Sequence, residues 1–133
     1  LTERGITVIV NLAPILPFIN DDMENIQGLL SYCVKAGVYG ILTDKMCPVL
    51  REGNRERFYQ QLYKNFPDIY DQYEAVYADE KTLKTKNYTE IMACIRETCE
   101  AHGIQYDKEE LLRFTREYKN KTIGTQLSLF DMM

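Results

Sequence analysis

The sequence predicts an α/β fold: a strand-helix-strand unit followed by a mainly helical region. Three observations predict it. Ile6 to Ala13 is an almost unbroken β-branched and apolar run, the pattern of a strand buried on both faces of a parallel sheet. Met23, Ile26, Leu29, Leu30 and Cys33 then recur at helical spacing. Val38 to Thr43 reads as a second strand, and strand, helix and strand in that order make a right-handed crossover.

The elements follow in order. Leu1 to Gly5 reads as the end of a helix with Gly5 as a left-handed cap. No Met opens the chain, so a longer polypeptide is expected upstream. Pro14 and Pro17 stop the first strand and shape a loop, because proline offers no backbone donor. Asn20 and Asp21 are expected to cap the next helix, with Asp21, Asp22 and Glu24 at its positive end. Gly37 closes that helix. Two strands do not make a stable parallel sheet, so further strands are expected before Leu1. An open strand edge would invite pairing with a second copy, hence a homodimer.

The helical region starts at Asn54. Phe58, Leu62 and Phe66 recur at four-residue steps until Pro67 intervenes. Asp68 to about Ala78 carries Ile69, Tyr70, Tyr73, Val76 and Tyr77; its tyrosines read as core rather than as a platform for stacked bases. Ala78 to Lys86 reads as a charged loop. Asn87 with Glu90 resembles a capping box before the stripe Tyr88, Ile91, Ile95, Cys99. Gly103 ends that helix, Ile104 to Tyr106 reads as a short extended piece, and Asp107 with Glu110 opens a last helix to about Tyr118. The expected division is 1–53 for the strand unit, 54–119 for the helical region and 120–133 for a flexible tail.

A net charge of -4 argues against a broad basic surface for nucleic-acid backbone. No apolar run approaches the roughly 20 residues that span a bilayer, so no membrane role is expected. The four cysteines, Cys33, Cys47, Cys94 and Cys99, form no Cys-x-x-Cys pair and read as reduced thiols of a cytoplasmic protein. Cys94, Cys99 and His102 do not read as a metal site, since helix positions five apart do not face each other. His102, just before Gly103, is expected to serve a helix C-terminus.

The segment Gly5-Ile6-Thr7-Val8-Ile9-Val10-Asn11-Leu12-Ala13-Pro14-Ile15-Leu16-Pro17-Phe18-Ile19-Asn20-Asp21, with Ala36-Gly37 before the second strand, resembles a late barrel strand of the radical S-adenosylmethionine proteins, in the branch related to spore photoproduct lyase. The likeness covers roughly residues 1–60. It implies the C-terminal portion of a partial (β/α)6 TIM-like barrel. It also implies S-adenosylmethionine and a [4Fe-4S] cluster held by Cys-x3-Cys-x2-Cys, which together give a 5'-deoxyadenosyl radical. This chain has no such triplet, so the cluster is expected on a missing N-terminal barrel half and the isolated chain is expected to be inactive.

Catalysis in α/β barrels sits beyond the C-terminal ends of strands. There the resemblance implies cofactor contacts from the Asn11 amide and from Ala13, Pro14 and Ile15. The plainer reading is that Pro14 and Pro17 only shape a turn. After the second strand, Asp44 and Lys45 read as a solvated pair. Cys47 is the catalytic candidate, because a related lyase uses a cysteine to donate hydrogen; a bystander thiol is the alternative. In the tail, Gln126-Leu127-Ser128-Leu129-Phe130 matches the pentapeptide by which bacterial replication and repair proteins dock on the DNA sliding clamp. Leu and Phe would fill an apolar pocket while Gln adds an oriented hydrogen bond. Three functions remain: part of a radical enzyme, with a nucleic-acid lesion as one possible substrate; a binding module using the tail; or a stand-alone α/β domain that shares the proline loop.

Overall fold

In the computed structural model, residues 1–117 are described. A short 3-10 turn at Thr2–Arg4 leads through a left-handed Gly5 to strand β1 (Ile9–Asn11), helix α1 (Met23–Ala36) and strand β2 (Gly40–Leu42). Helices α2 (Asn54–Asn65), α3 (Pro67–Val76), α4 (Tyr88–His102) and α5 (Lys108–Arg116) follow. The fold is mixed α/β, mostly helical, with a parallel β1-β2 pair in which Ile9, Val10 and Asn11 lie beside Gly40, Ile41 and Leu42. The extended piece after α4 joins this sheet: Gln105 makes a parallel bridge to Gly40, with Ile41 N–H donating to Gln105 O at 2.9 Å. β2 is therefore flanked on both sides, and α4 is a second crossover helix.

Alternation along the strands separates two faces. Val8, Val10, Leu12 and Ile41 meet α1 and α4 in one core with Ile26, Leu30, Cys33, Ile91, Ile95, Cys99 and Ile104. The other face carries Ile9, Asn11, Gly40 and Leu42, and α5 lies on it. A Cβ at Gly40 would stand 2.2 Å from Leu111 Cδ2, so only glycine permits this approach. Tyr39 stacks on Phe114 at 4.6 Å, and Lys108 Nζ meets Asp44 Oδ1 at 2.7 Å.

Both strands are shorter than the apolar runs suggest, and β1 is not buried on both faces. Ile6 is 49% exposed and Asn11 is exposed. The reason is geometric. Among the described residues no strand pairs with the outer edge of β1. A cavity of about 460 Å³, lined by Gly5, Ile6, Thr7, Ile9, Phe114 and Thr115, runs beside it.

A second core forms where α2 and α3 pack together. Leu50, Leu62, Tyr73, Tyr77 and Leu83 are buried there, with Phe18, Ile19, Phe58 and Tyr70 against them. The expected division at 53/54 does not follow these cores, because α4 and α5 return to the sheet. The 78–86 segment is more than a charged loop. Thr82 bridges Val49 in antiparallel fashion, and Leu83 and Thr85 are buried. The stripes of α1 and α3 run wider than their cores, for Leu29 is 37% and Val76 40% exposed.

Gly37 and Gly103 adopt the left-handed caps expected of them, and Asp107 accepts from Glu110 N–H as expected. Asn20 and Asn87 do not use their side chains as caps. The N-cap of α1 is Asp22, without a side-chain bond, and Asn87 occupies the N-cap of α4 without one. Both amides bond loop backbone instead, Asn20 to Leu16 and Pro14 and Asn87 to Asp21.

Candidate functional site

The loop after β1 is built from its own polar side chains. The Ala13–Pro14 peptide is cis, and Ile15 N–H donates to Met46 O at 2.7 Å. Asn20 folds back: its Oδ1 accepts from Leu16 N–H at 2.5 Å and its Nδ2 donates to Pro14 O at 3.3 Å. Asp21 Oδ1 accepts from Phe18 N–H at 3.1 Å, while its other oxygen accepts from the Thr85 hydroxyl. Asn87 Nδ2 donates to Asp21 O at 3.1 Å. Tyr73 OH donates to Pro17 O at 2.6 Å. Two prolines interrupt the regular backbone pairing of this loop; Asn20 and Asp21 supply acceptors for the Leu16 and Phe18 N–H groups, and the Asn20 amide supplies a donor to Pro14 O.

Phe18 sits at φ 63, a left-handed conformation that is costly for an aromatic residue. Its ring explains why it is held there, meeting Tyr73 at 5.8 Å and Tyr77 at 6.4 Å, with Lys86 Nζ 5.4 Å from its centroid. Asp21 is thus the joint between the strand loop and the hairpin core. Asp21→Ala would strand the Phe18 N–H and the hydroxyl of Thr85, which is 3% exposed. A loss of about 1–3 kcal/mol is expected in urea unfolding.

The residues singled out in the sequence are distributed unevenly about this loop. Asn11, at the C-terminal end of β1, is exposed, and its side chain makes no hydrogen bond among the described residues. Pro14 is exposed and Ala13 partly so. Ile15 is 3% exposed and part of the main core, so its side chain does not face a ligand. Asp44 does not pair with Lys45; it holds Lys108 of α5, whose ammonium pKa is raised by that contact. Sequence spacing gave no sign of this pair, since a crossover helix separates its members.

Cys47 is turned toward the hairpin core. Burial pushes its thiol up, with Lys84 pulling the other way, and Tyr77 is a second neighbour. The thiol is thus favoured as S–H rather than as thiolate, and S–H is the form that donates hydrogen. Cys33 and Cys99 are buried in the main core. Burial, with smaller effects from Cys33 and Glu100, raises Cys99 to about 11. The sign follows: the neutral thiol is preferred in the fold, so its contribution holds below the ordinary value of 9.0 and is lost as pH rises through about 11. Alkylation of the native chain at pH 8 is expected to modify the partly exposed Cys47 and Cys94 first, leaving Cys33 and Cys99 until urea is added. Peptide mapping checks the order.

Among the described residues no group of His, Cys, Asp and Glu is arranged to hold a metal ion. His102 is the last residue of α4, where a helix terminus was expected. No helix of the described residues is long and apolar enough to cross a membrane. Gln126, Leu127, Leu129 and Phe130 lie outside the described residues. Tyr73, which holds the loop, reads in the sequence only as core, and Thr85 was not singled out; a lone threonine between Lys84 and Lys86 was the available signal. The chain matches no family model, no curated protein and no solved structure.

Proposed function

We propose that this chain supplies the C-terminal strands of a larger barrel, a radical S-adenosylmethionine protein of the branch related to spore photoproduct lyase. The observation that carries the reading is the held loop beyond β1. Asn20 and Asp21, the end of the Pro-x-x-Pro-x-x-Asn-Asp string, fix it with their side chains, beside Asn11, Ala13 and Pro14 at the C-terminal end of the strand. The outer edge of β1, unpaired among the described residues, suits continuation by other strands; α1 and α4 lie on one sheet face as in a barrel wall, whereas α5 covers the face that a barrel would turn inward.

The donor sets divide the cofactors. An iron-sulfur cluster does not fit these residues, which offer no cysteine triplet; its ligands belong to the proposed N-terminal half. Asn11, Ala13 and Pro14 suit contact with the nucleoside of S-adenosylmethionine: an amide free to pair and small apolar groups beside it. Ile15 does not. Reaction steps after cofactor binding rest with the other half, and the substrate, a nucleic-acid lesion among the candidates, is met there.

The test is anaerobic purification of the polypeptide as its gene encodes it, with iron and sulfide analysis. About four irons per chain, together with a Cys-x3-Cys-x2-Cys run upstream, is the expected result. No iron after reconstitution, or an unrelated upstream sequence, overturns the reading. For the chain alone, sedimentation is expected to show self-association through the β1 edge. A monomer at high concentration removes the homodimer.

A second reading rests on Gln126-Leu127-Ser128-Leu129-Phe130: the chain recruits a partner such as the DNA sliding clamp. Immobilised clamp is expected to retain the native chain and to lose the Leu129→Ala/Phe130→Ala variant. Equal retention ends this reading.

A further inference from the structure

The α2-α3 hairpin carries a separate binding feature. Glu56, Tyr59, Gln60, Tyr63 and Tyr70 line a cavity of about 510 Å³. The rings of Tyr59 and Tyr70 stand at 86° with centroids 6.0 Å apart, and those of Tyr63 and Tyr70 at 79° and 5.1 Å. Two near-perpendicular pairs share the Tyr70 ring, so the three rings border the opening at right angles rather than as a stack. Tyr63 is 65% exposed, more than packing of the hairpin requires.

The charges complement those rings. An aromatic face is electron-rich and attracts cations. Glu56 lines the cavity itself. After burial, the Glu74 and Asp71 carboxylates push the Tyr70 phenol up, and Glu74 and Asp79 act in the same sense on Tyr59 against Arg55. Helix α3 carries Asp68, Asp71 and Glu74, all exposed, and no lysine or arginine. Asp71 and Glu74 follow Tyr70 within about one turn, while Asp68, two residues before it, lies on the far side of the helix. The cluster already seats one cation from within the chain. Arg55 Cζ lies 5.5 Å from the Tyr59 centroid while its guanidinium donates to the carbonyls of Ala78, Asp79 and Glu80.

We propose that this hairpin binds a basic peptide segment of a partner protein. One lysine or arginine head group sits among Tyr59, Tyr63 and Tyr70, and neighbouring positive side chains face Asp71 and Glu74. Carboxylates on both helices, Glu56 on α2 with Asp71 and Glu74 on α3, favour a peptide over a small cation, which fills one position and leaves the others unmatched. The proposal is independent of the barrel reading.

The test titrates three probes into the intact chain while backbone amide shifts are followed by NMR. They are a capped arginine-glycine-serine repeat peptide, the same peptide with glutamine for arginine, and tetramethylammonium chloride. The arginine peptide is expected to shift the amides of α2 and α3 saturably, and the glutamine peptide is not. Tyr63→Ala is expected to weaken binding about threefold or more, whereas Tyr63→Phe, which keeps the ring face, binds as the native chain does. Glu74→Gln is expected to weaken binding and to flatten its salt dependence. Tyr63 and Glu74 are exposed, so a native amide spectrum is expected for each variant. Any of four results overturns the proposal: equal shifts from both peptides, shifts elsewhere in the chain, unchanged binding by Tyr63→Ala, or saturation of the same shifts by tetramethylammonium at equal concentration.

Discussion

Tyr73→Ala is expected to destabilise the chain by about 3–5 kcal/mol, a large share of the roughly 5–15 kcal/mol typical of a domain. Tyr73 is 0% exposed, and its ring meets Phe18, Phe58, Tyr59 and Tyr77 at centroid distances of 5.8, 5.7, 6.4 and 5.5 Å. Removing it opens a cavity that four aromatic neighbours cannot refill by small shifts. Burial, then Tyr77, Asp21 and Tyr59, raises its phenol, so the hydroxyl stays protonated and donates to Pro17 O. Tyr73→Phe isolates that part. It keeps the ring and leaves the Pro17 carbonyl without its donor, at about 1–3 kcal/mol. Urea unfolding of both variants measures the two contributions. A Tyr73→Phe chain as stable as the native one would mean that the hydroxyl contributes nothing net.

Gly40→Val is expected to detach α5 from the sheet. Even a Cβ meets Leu111 Cδ2 at 2.2 Å and the Gln105 carbonyl at 3.0 Å, so the strain falls on both the helix and the third strand. Overpacking of this kind costs about 1–3 kcal/mol, and here it is relieved by moving a nine-residue helix rather than the core. Leu111, 1% exposed, then loses its cover, and the Lys108-Asp44 contact opens. Hydrogen exchange is expected to accelerate in α5 while α1 and α4 stay protected. Uniform acceleration would mean that α5 is integral to the main core. Leu111→Ala, which removes the contact without the clash, is expected to cost about 2–5 kcal/mol.

The crossover unit was legible because its signals are local. Ile26, Leu30 and Cys33 recur on one helix face, and Gly37 and Gly103 stand where a left-handed residue is needed. What escaped was set by distant partners. Asn20 has the composition of a cap, yet the folded loop brings Leu16 N–H and Pro14 O to its side chain. Thr85 and Leu83 look like members of a charged loop until the 48–50 segment pairs with 81–83. Strand lengths were overread because an apolar run records what a residue can bury, not whether a neighbour is there to cover it. The position of Asn11, Ala13 and Pro14 at a strand end followed from the proline loop. The burial of Ile15 and the pairing of Asp44 with Lys108 did not, since each depends on how α5 and the 43–46 turn close on the sheet.

Leu50 N–H donates to Lys81 O at 2.7 Å and Leu83 N–H to Pro48 O at 2.8 Å, so the chain enters and leaves the α2-α3 hairpin at one place. Everything between is an excursion whose two ends are already fastened side by side. Such a segment is a cassette: a hairpin of another length can be exchanged for it without re-routing the strands on either side. Its removal would still be felt outside it, for the loop beyond β1 borrows Tyr73 to hold Pro17 and packs Phe18 on Tyr73 and Tyr77, and Leu50 and Leu83 share their core. Variation in the length of this excursion therefore leaves the α/β frame in register, while the shape of the strand-end loop depends on whichever cassette is installed.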